Sequence, residues 1–349
     1  MKLIEVLHDI AAGPETPDSL CPDPAALRAA MGEVMRGEAS PAQTAALLMG
    51  LRTRGERAEH LHAVVEVMLE HATPVPGAAH EGWLFDTCGT GGDRHGTVNI
   101  STATAILAAA AGLPVAKHGN RAVSSRSGSA DVLEALGIRI DCPPALSGRM
   151  LADLNFCFLF APLYHPAMKH AGPVRREIKV RTVFNLAGPL SNPARPSHQL
   201  VGVSHPDLVA PMMETLRLLG RRRALVVHGA NGEDEISLTQ ITTGLHLTAD
   251  GRVENFRLEP RALGLEIVEM GELVADGPAA SAEALRRVFA GAGGPVADAI
   301  NINLAAVLWM ADREATFEQA FNHAREIQRS GVAAALLDKI IAMSQDRTA

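Results

Sequence analysis

The chain is short of cysteine, of excess positive charge and of long apolar runs. Its four cysteines, Cys21, Cys88, Cys142 and Cys157, are far apart, and no pair has zinc-ligand spacing. They are expected to be free buried thiols of a reducing compartment rather than a disulfide framework or a metal site. Lys and Arg total 32 against 39 Asp and Glu, a formal charge of −7. That balance argues against broad nucleic-acid affinity and leaves room only for a local basic cleft. The longest run of small apolar residues, Ile106 to Val115, contains Gly112 and Pro114 and is too short to span a bilayer. Met-Lys-Leu-Ile-Glu-Val at the start is followed by acidic and polar residues, not by a secretory apolar region. A cytoplasmic protein with no membrane association is expected. Gly and Pro are common but not periodic, and hydrophobic residues make up 47%, so the composition is globular rather than disordered or collagen-like. At 349 residues there is material for more than one hydrophobic unit.

Periodicity divides the chain. The first 75 or so residues read as helical, with Pro24 to Met35 forming one helix. Ser40-Pro41-Ala42-Gln43 supplies an N-cap, a Pro at N1 and a Gln at N3 for the next. Gly55 stops that helix, and Glu56 to His71 forms another, with Leu61, Val64, Val65, Met68 and Leu69 on one face. Thr73 to Gly82 is a hinge or linker. Beyond it, strands are expected at Trp83–Thr87, Pro114–Lys117, Ile138–Ile140, Phe156–Ala161, Leu200–Val203 and Ala224–Val227. Helices are expected at Asn99–Ala111, Ser129–Leu136, His165–Arg176 and Asp207–Leu219. This alternation predicts an α/β fold with a mostly parallel central sheet. Ile236–Leu247 and Arg252–Leu258, joined around Asp250-Gly251, read as an antiparallel addition. About Ser281 to Ser344 is helical again. The expected division is a small all-helical domain over residues 1–75 and a large α/β domain over 83–345, with 165–193 adding helical elements near the hinge.

Four polar constellations stand out. Gly89-Thr90-Gly91-Gly92-Asp93 follows a strand and precedes a helix. Three glycines in four residues let backbone N–H groups face an anion, and the acidic residue suits a metal or a sugar hydroxyl. It is neither a Walker A loop nor a dinucleotide fingerprint, and taken alone it reads equally as a tight turn without a ligand. Asn99, Ser101, Thr102 and Thr104 then place polar groups at a helix start, where free N–H groups and the dipole favour phosphate. A second strand-to-helix segment runs from Lys117-His118-Gly119-Asn120-Arg121 through Ser124-Ser125-Arg126-Ser127-Gly128-Ser129-Ala130-Asp131. Its density of cations and hydroxyls favours an anion site over a plain surface loop with Ser129 as N-cap, and both loops are expected at the carboxyl ends of strands. Glu233-Asp234-Glu235 sets three carboxylates side by side; alone it reads as a solvated acidic turn, and beside two anion loops as a Mg²⁺ site. His165, Lys169, His170, Arg175 and Arg176 form a basic patch. His165 and Lys169 are expected to share a helix face, and Arg175 to point inward toward an organic carboxylate, the alternative being a basic solvated helix.

These motifs, in this order, resemble the anthranilate phosphoribosyltransferase family, which shares its fold with pyrimidine nucleoside phosphorylases. The residues that carry the resemblance are Gly-Thr-Gly-Gly-Asp at 89–93, Asn-Ile-Ser-Thr at 99–102, Lys-His-Gly-Asn-Arg at 117–121 and Ser-Gly-Ser-Ala-Asp at 127–131. Arg-Thr-Val-Phe-Asn-Leu-Ala-Gly-Pro-Leu-Ser-Asn-Pro at 181–193 and Asp-Glu-Ile-Ser at 234–237 complete the set, so that it covers nearly the whole chain. The resemblance implies transfer of the phosphoribosyl group of 5-phosphoribosyl 1-pyrophosphate (PRPP) to the amine of anthranilate, with Mg²⁺, by a homodimer joined through its helical domain. It implies donor contacts from Gly89, Thr90, Gly91, Gly92, Asp93, Thr97, Asn99, Ser101, Thr102, Lys117 and Ser129. It assigns Mg²⁺ to Ser101, Asp234 and Glu235. Gly89, His118, Asn120, His165, Arg175 and Pro189 would line the anthranilate route, Arg175 facing the carboxylate. No general base is assigned; His118 is the candidate for the amine proton. Three departures from the family pattern bear on donor affinity and loop motion: Arg94 where Gly is common, Val98 where Phe is common, and Arg176-Glu177-Ile178-Lys179 in place of a Thr-Leu-Gly-like stretch.

Competing readings predict different residues. A nucleoside phosphorylase would not need the His165 and Arg175 patch. A relative turned nucleic-acid binder would show a basic surface and would lack His118, Asn120, His165 and Arg175. A non-enzymatic scaffold leaves the coincidence of two anion loops and an acidic pair unexplained.

Overall fold

The computed structural model describes residues 1–14, 16, 20–78, 82–92, 95–122 and 126–347. Four helices come first: α1 (Lys2–Ala12), α2 (Pro24–Arg36), α3 (Pro41–Arg54) and α4 (Ala58–Glu70). The start of α3 is the capping box expected from Ser40 and Gln43: Gln43 N–H donates to Ser40 Oγ at 3.2 Å and Ser40 N–H to Gln43 Oε1 at 2.9 Å. A cap of this kind stabilises a helix by about 1 kcal/mol. Then follow β1 (Phe85–Gly89), α5 (Ile100–Ala110), β2 (Val115–Gly119), α6 (Ser129–Ala135), α7 (Pro144–Leu154), β3 (Phe156–Phe160), α8 (Ala161–Tyr164), α9 (Met168–Ile178), α10 (Val183–Leu190), β4 (His198–Gly202), α11 (Val209–Leu218) and β5 (Arg223–Gly229). An antiparallel pair, β6 (Thr242–Leu247) and β7 (Val253–Leu258), precedes α12 (Pro278–Phe289), α13 (Pro295–Met310), α14 (Phe317–Arg329) and α15 (Val332–Ser344).

One seven-stranded sheet runs β3-β2-β1-β4-β5-β6-β7. The first five strands are parallel and the last two are antiparallel additions. From β1 the chain winds outward to β2 and β3, then returns to lay β4 on the other side of β1. The order therefore reverses between β1 and β4, and the crevice beyond their carboxyl ends is where open α/β sheets bind ligands.

Central strands are buried on both faces, so consecutive residues enter different cores. Leu225 and Val227 of β5 pack with α5, α7 and α12–α15, while Ala224 and Val226 pack with α1–α4 and α9–α11. The second core also holds Ala171 and Val174 of α9 and Val183, Phe184, Leu186, Ala187 and Leu190 of α10. Residues 168–190 thus lie against the N-terminal helices, with α9 packing on α2 and α3 and α10 on α4.

Ile138–Ile140 does not form a strand. Both isoleucines are buried in the larger core from an irregular segment leading to α7, so their alternation marks two anchors without a hydrogen-bonded ladder. Helices α7 and α10 have no counterpart in the periodicity reading. Pro189 sits inside α10, a residue that ordinarily argues against helix. The four cysteines are free, but Cys21 is only half-buried. No helix among the described residues is long and apolar enough to cross a membrane.

Candidate active site

The carboxyl ends of β1 and β4 terminate in paired glycines, Gly89 opposite Gly202. Gly202 has no room for a side chain, and Gly89 has room only if the Asp234 carboxylate moves. A Cβ on Gly89 would run into the Asp234 carboxylate, and one on Gly202 into the Asp234 backbone carbonyl. The missing side chains let the acidic segment after β5 lie directly over the switch point. Beyond Gly89, Gly91 and Gly92 take φ of 65° and 92°, the left-handed region that glycine enters without strain.

The acidic run separates by role. Glu233 turns inward, 2% exposed, and accepts from the hydroxyls of Ser237 and Thr239. Asp234 and Glu235 point toward the glycine turn and α5. Asp234 Oδ2 accepts from Gly91 N–H at 2.6 Å, and Glu235 Oε1 from Ser101 N–H in the first turn of α5 at 3.2 Å. Two carboxylates thus occupy donors that a helix start and a glycine turn offer to anions. Beneath them lies Lys117 on β2, 1% exposed, with Nζ donating to Thr87 O at 2.6 Å and to Ser101 Oγ at 3.3 Å. Thr87 Oγ1 closes the triangle by donating to Ser101 O at 2.8 Å. Burial pulls the Lys117 ammonium down, opposed by the charge of buried Asp86, whose own carboxyl is pushed up by burial.

Asn99 stands at the N-cap of α5, but its side chain reaches sideways, where Oδ1 accepts from Ser127 Oγ and Ser281 Oγ, both at 2.9 Å. It thereby ties the α5 start to the second loop. Asp131 shapes that loop by accepting from Ala122 N–H at 2.8 Å and Gly128 N–H at 2.9 Å. Ser129 opens α6 half-buried, and a Cβ on Gly119 would stand 3.0 Å from its Cβ. Thr97 bridges to Val274, and Val98 is buried in the core with its N–H on Leu273 O at 2.9 Å. Thr102 is fully enclosed, its hydroxyl without a hydrogen-bond partner. Asp93, Arg94, Ser124 and Ser125 lie outside the described residues.

Successive β2 residues face opposite ways. Lys117 faces α5, while His118 meets His165, their rings edge-on with centroids 5.1 Å apart. His165 Nε2 is 2.9 Å from Ser191 O, whereas His118 Nε2 is buried with no partner. Burial, reinforced by the neighbouring His165, pushes His118 well below the usual imidazole range; burial lowers His165 as well. The expected helix face shared by His165 and Lys169 is not formed, because His165 caps α8 and α9 begins only at Met168. Arg175, near the end of α9, is half-buried with its guanidinium 5.3 Å from the Phe184 ring centroid. Burial alone lowers it, with no carboxylate compensating. Pro189 turns its carbonyl to Gln199 Nε2 at 2.7 Å. Asn120 is exposed, its Oδ1 accepting from Arg121 N–H at 2.7 Å.

The fold therefore joins Gly89, Gly91, Ser101, Lys117, Asp234 and Glu235 in one group and His118 with His165 in another. Arg175, Asn120, Thr97 and Ser129 make no direct contact with either group among the described hydrogen bonds and ion pairs. Sequence reading missed Thr87, Ser281, Gly202, Phe184 and Arg181. Arg181 and Phe184 had a signal, both lying within the motif at 181–193. Ser281 and Gly202 act across more than a hundred residues of chain and had none.

Residues 81–334 match the glycosyl transferase family a/b domain, and residues 22–72 that family's helical bundle domain. Anthranilate phosphoribosyltransferase of Chromobacterium violaceum is 45% identical over 317 residues, 91% of this chain and 92% of that protein. The crystal structure of anthranilate phosphoribosyltransferase from Thermus thermophilus superimposes with a TM-score of 0.89 at 39% identity, covering 99% of this chain and 100% of that one. The Saccharomyces cerevisiae enzyme in complex with PRPP and Mg gives 0.87 at 26% identity, covering 98% and 97%. Sequence and fold agree over nearly the full length of both partners, and the chain belongs to the anthranilate phosphoribosyltransferase family.

Proposed function

We propose that the crevice over β1 and β4 binds PRPP with Mg²⁺ and that the pocket around His118, His165, Arg175 and Pro189 admits anthranilate. The observation that carries this reading is the convergence of Gly91 N–H, Ser101 N–H, Lys117, Asp234 and Glu235 within hydrogen-bonded reach of one another. Backbone donors and a buried cation serve pyrophosphate, while paired hard oxygens serve a divalent ion. Among the described residues no cluster of three or more metal-ligating side chains exists. That fits Mg²⁺, which is commonly held by one or two carboxylates together with substrate phosphates and water. When bound, the ion neutralises charge on the pyrophosphate.

In the reaction the anthranilate nitrogen bonds to ribose C1 as the C1–O bond to pyrophosphate breaks. The electron pair of that bond leaves with pyrophosphate, and the nitrogen gives up a proton. Gly91 and Ser101 N–H and the Lys117 ammonium lie where leaving-group charge grows, the preorganised arrangement that lowers a barrier most. Holding the weakly basic amine against C1 supplies much of the rest. Burial holds His118 toward its neutral form, and it carries the unpartnered buried Nε2, so it is the candidate to take the amine proton after bond formation. The half-buried Arg175, without a carboxylate of its own, is available to the carboxylate of the acceptor.

The test mixes protein, Mg²⁺, PRPP and anthranilate and follows the loss of anthranilate fluorescence together with pyrophosphate release. Stoichiometric loss of both substrates is expected; folded protein that leaves the fluorescence unchanged refutes the reading. We also propose residues 1–75 and 83–345 as the two domains, and a homodimer through the helical one. Support for the dimer is that Met1 and Ile4 of the N-terminal segment are 62% and 39% exposed. Sedimentation showing a monomer at micromolar concentration would rule it out.

A further inference from the structure

Arg181 lies at the joint between α9 and α10, two residues beyond Lys179, the left-handed cap of α9, and just before Thr182, the N-cap of α10. It is exposed and forms no ion pair with a carboxylate among the described residues. Instead its guanidinium reaches the glycine turn, where Nη1 donates to Gly91 O at 3.0 Å and Nη2 to Thr90 O at 3.4 Å. Space for it exists because residue 92 is glycine; a Cβ there would overlap Nη1.

What this grip does follows from the peptide group. Each peptide is planar and trans, so its C=O and N–H point in opposite directions. Holding Thr90 C=O toward Arg181 turns Gly91 N–H the other way, and that N–H is the one 2.6 Å from Asp234 Oδ2. Holding Gly91 C=O likewise turns Gly92 N–H away from the guanidinium. The positive φ of Gly91, 65°, is what lets two successive units lie the same way round, as in backbone anion nests.

We propose that Arg181 is a positioning residue for the phosphoribosyl donor. It fixes two N–H groups of the glycine turn toward the pyrophosphate side and fastens the acceptor-bearing α9–α10 segment to the donor turn. The proposal rests on the PRPP reading of this crevice. Arg181 acts through the turn, not by contact with the reacting atoms.

Its test is calorimetric binding of Mg²⁺–PRPP, in the absence of anthranilate, to wild type, R181A and R181K. Since Arg181 is exposed, thermal midpoints within a few degrees of wild type are expected for both variants. For R181A the dissociation constant for Mg²⁺–PRPP should rise roughly tenfold, equivalent to about 1.4 kcal/mol. R181K, with one donor in place of a fork, should recover part of it, and guanidinium ion at low millimolar concentration should restore R181A toward wild type. In turnover assays of R181A the KM for PRPP should rise while the KM for anthranilate and kcat move by less than about threefold. Unchanged Mg²⁺–PRPP binding by R181A overturns the proposal. So does an equal rise in both KM values without guanidinium rescue, which is the signature of general loosening. Wild-type protein that binds Mg²⁺–PRPP but does not consume anthranilate would sink the acceptor assignment, and the binding series would still decide the role of Arg181.

Discussion

Gly202→Ala is the sharpest test of how this site is built. In an ordinary strand the change stabilises, because glycine loses the most backbone freedom on folding; the gain is about 0.5–1 kcal/mol. Gly202 has no positive φ, so no conformational penalty opposes that gain. Opposition comes from packing alone, because the new Cβ would overlap the carbonyl oxygen and carbon of Asp234. The obstacle is backbone, which cannot rotate aside as a side-chain tip can. Either the acidic segment lifts by an ångström or more, or β4 drops away from the Gly89 register. Overpacking of this kind costs about 1–3 kcal/mol, so with the backbone gain subtracted the net effect is a loss of about 1 kcal/mol. At ~2.1 cal/mol/K of unfolding entropy per residue, a chain of this length should lose about 1–2 °C in Tm. Lifting Asp234 also breaks its bond with Gly91 and displaces the proposed Mg²⁺ ligand, and a misplacement near 1 Å costs on the order of a hundredfold in rate. The assay pairs a thermal melt with the Mg²⁺ dependence of anthranilate fluorescence loss. Gly271→Ala, with nothing within 4 Å of the new Cβ and no positive φ, is the control and should be neutral or slightly stabilising. Gly202→Ala protein that melts with wild type and keeps its Mg²⁺ requirement would refute the close approach of strand and acidic segment.

Two further substitutions probe separate parts of the molecule. Arg175→Ala should raise the KM for anthranilate by roughly 10- to 100-fold, the range for losing a charged hydrogen bond, with the KM for PRPP within about threefold; an unchanged acceptor dependence in steady-state kinetics rejects the role. Burial and the charges of Arg223 and Arg222 hold His198, 3% exposed, down at about 4 from an ordinary 6.5. The unfolded chain binds the proton first, so this site's stability contribution is complete above 6.5 and is lost as pH falls from 6.5 toward 4, by about 2–3 kcal/mol at pH 4.5. His198→Gln should flatten that part of the slope in urea melts at pH 7 and pH 4.5, and an unaltered slope would count against it.

What could be read in the sequence was local. Ser40 and Gln43 specify their capping box within four residues, and the motif at 89–93 announces a turn by its glycines alone. The alternation of strands and helices gave the parallel sheet, because each element carries its own period. Boundaries failed where tertiary packing overrode propensity. Ile138 and Ile140 alternate like a strand yet only anchor a loop, and α10 stays helical around Pro189 because its apolar face is buried against α4. His165 was placed on α9 by spacing, but spacing cannot reveal that the chain breaks between α8 and α9.

The harder part of the site lies in contacts made across long stretches of chain. Asp234 meets Gly89, Gly91 and Gly202 only because β5 lies beside β4 and β4 beside β1. Nothing in the string Asn-Gly-Glu-Asp-Glu says which carboxylates will face the crevice. The structure decides it through Ser237 and Thr239, whose hydroxyls draw Glu233 inward and leave Asp234 and Glu235 directed at the N–H donors. The same carboxylates are then asked to do two things. In this structure they accept from Gly91 and Ser101, the donors proposed for pyrophosphate. On the proposed reading donor binding is an exchange, in which phosphate oxygens would take over the N–H groups as Asp234 and Glu235 turn toward Mg²⁺. Because the carboxylates already neutralise those donors, pyrophosphate without a divalent ion would face both the competition of Asp234 and Glu235 for the N–H groups and their repulsion. On that reading the metal requirement is built into the turn itself, and it follows from the placement of two N–H groups as much as from the acidity of the pair.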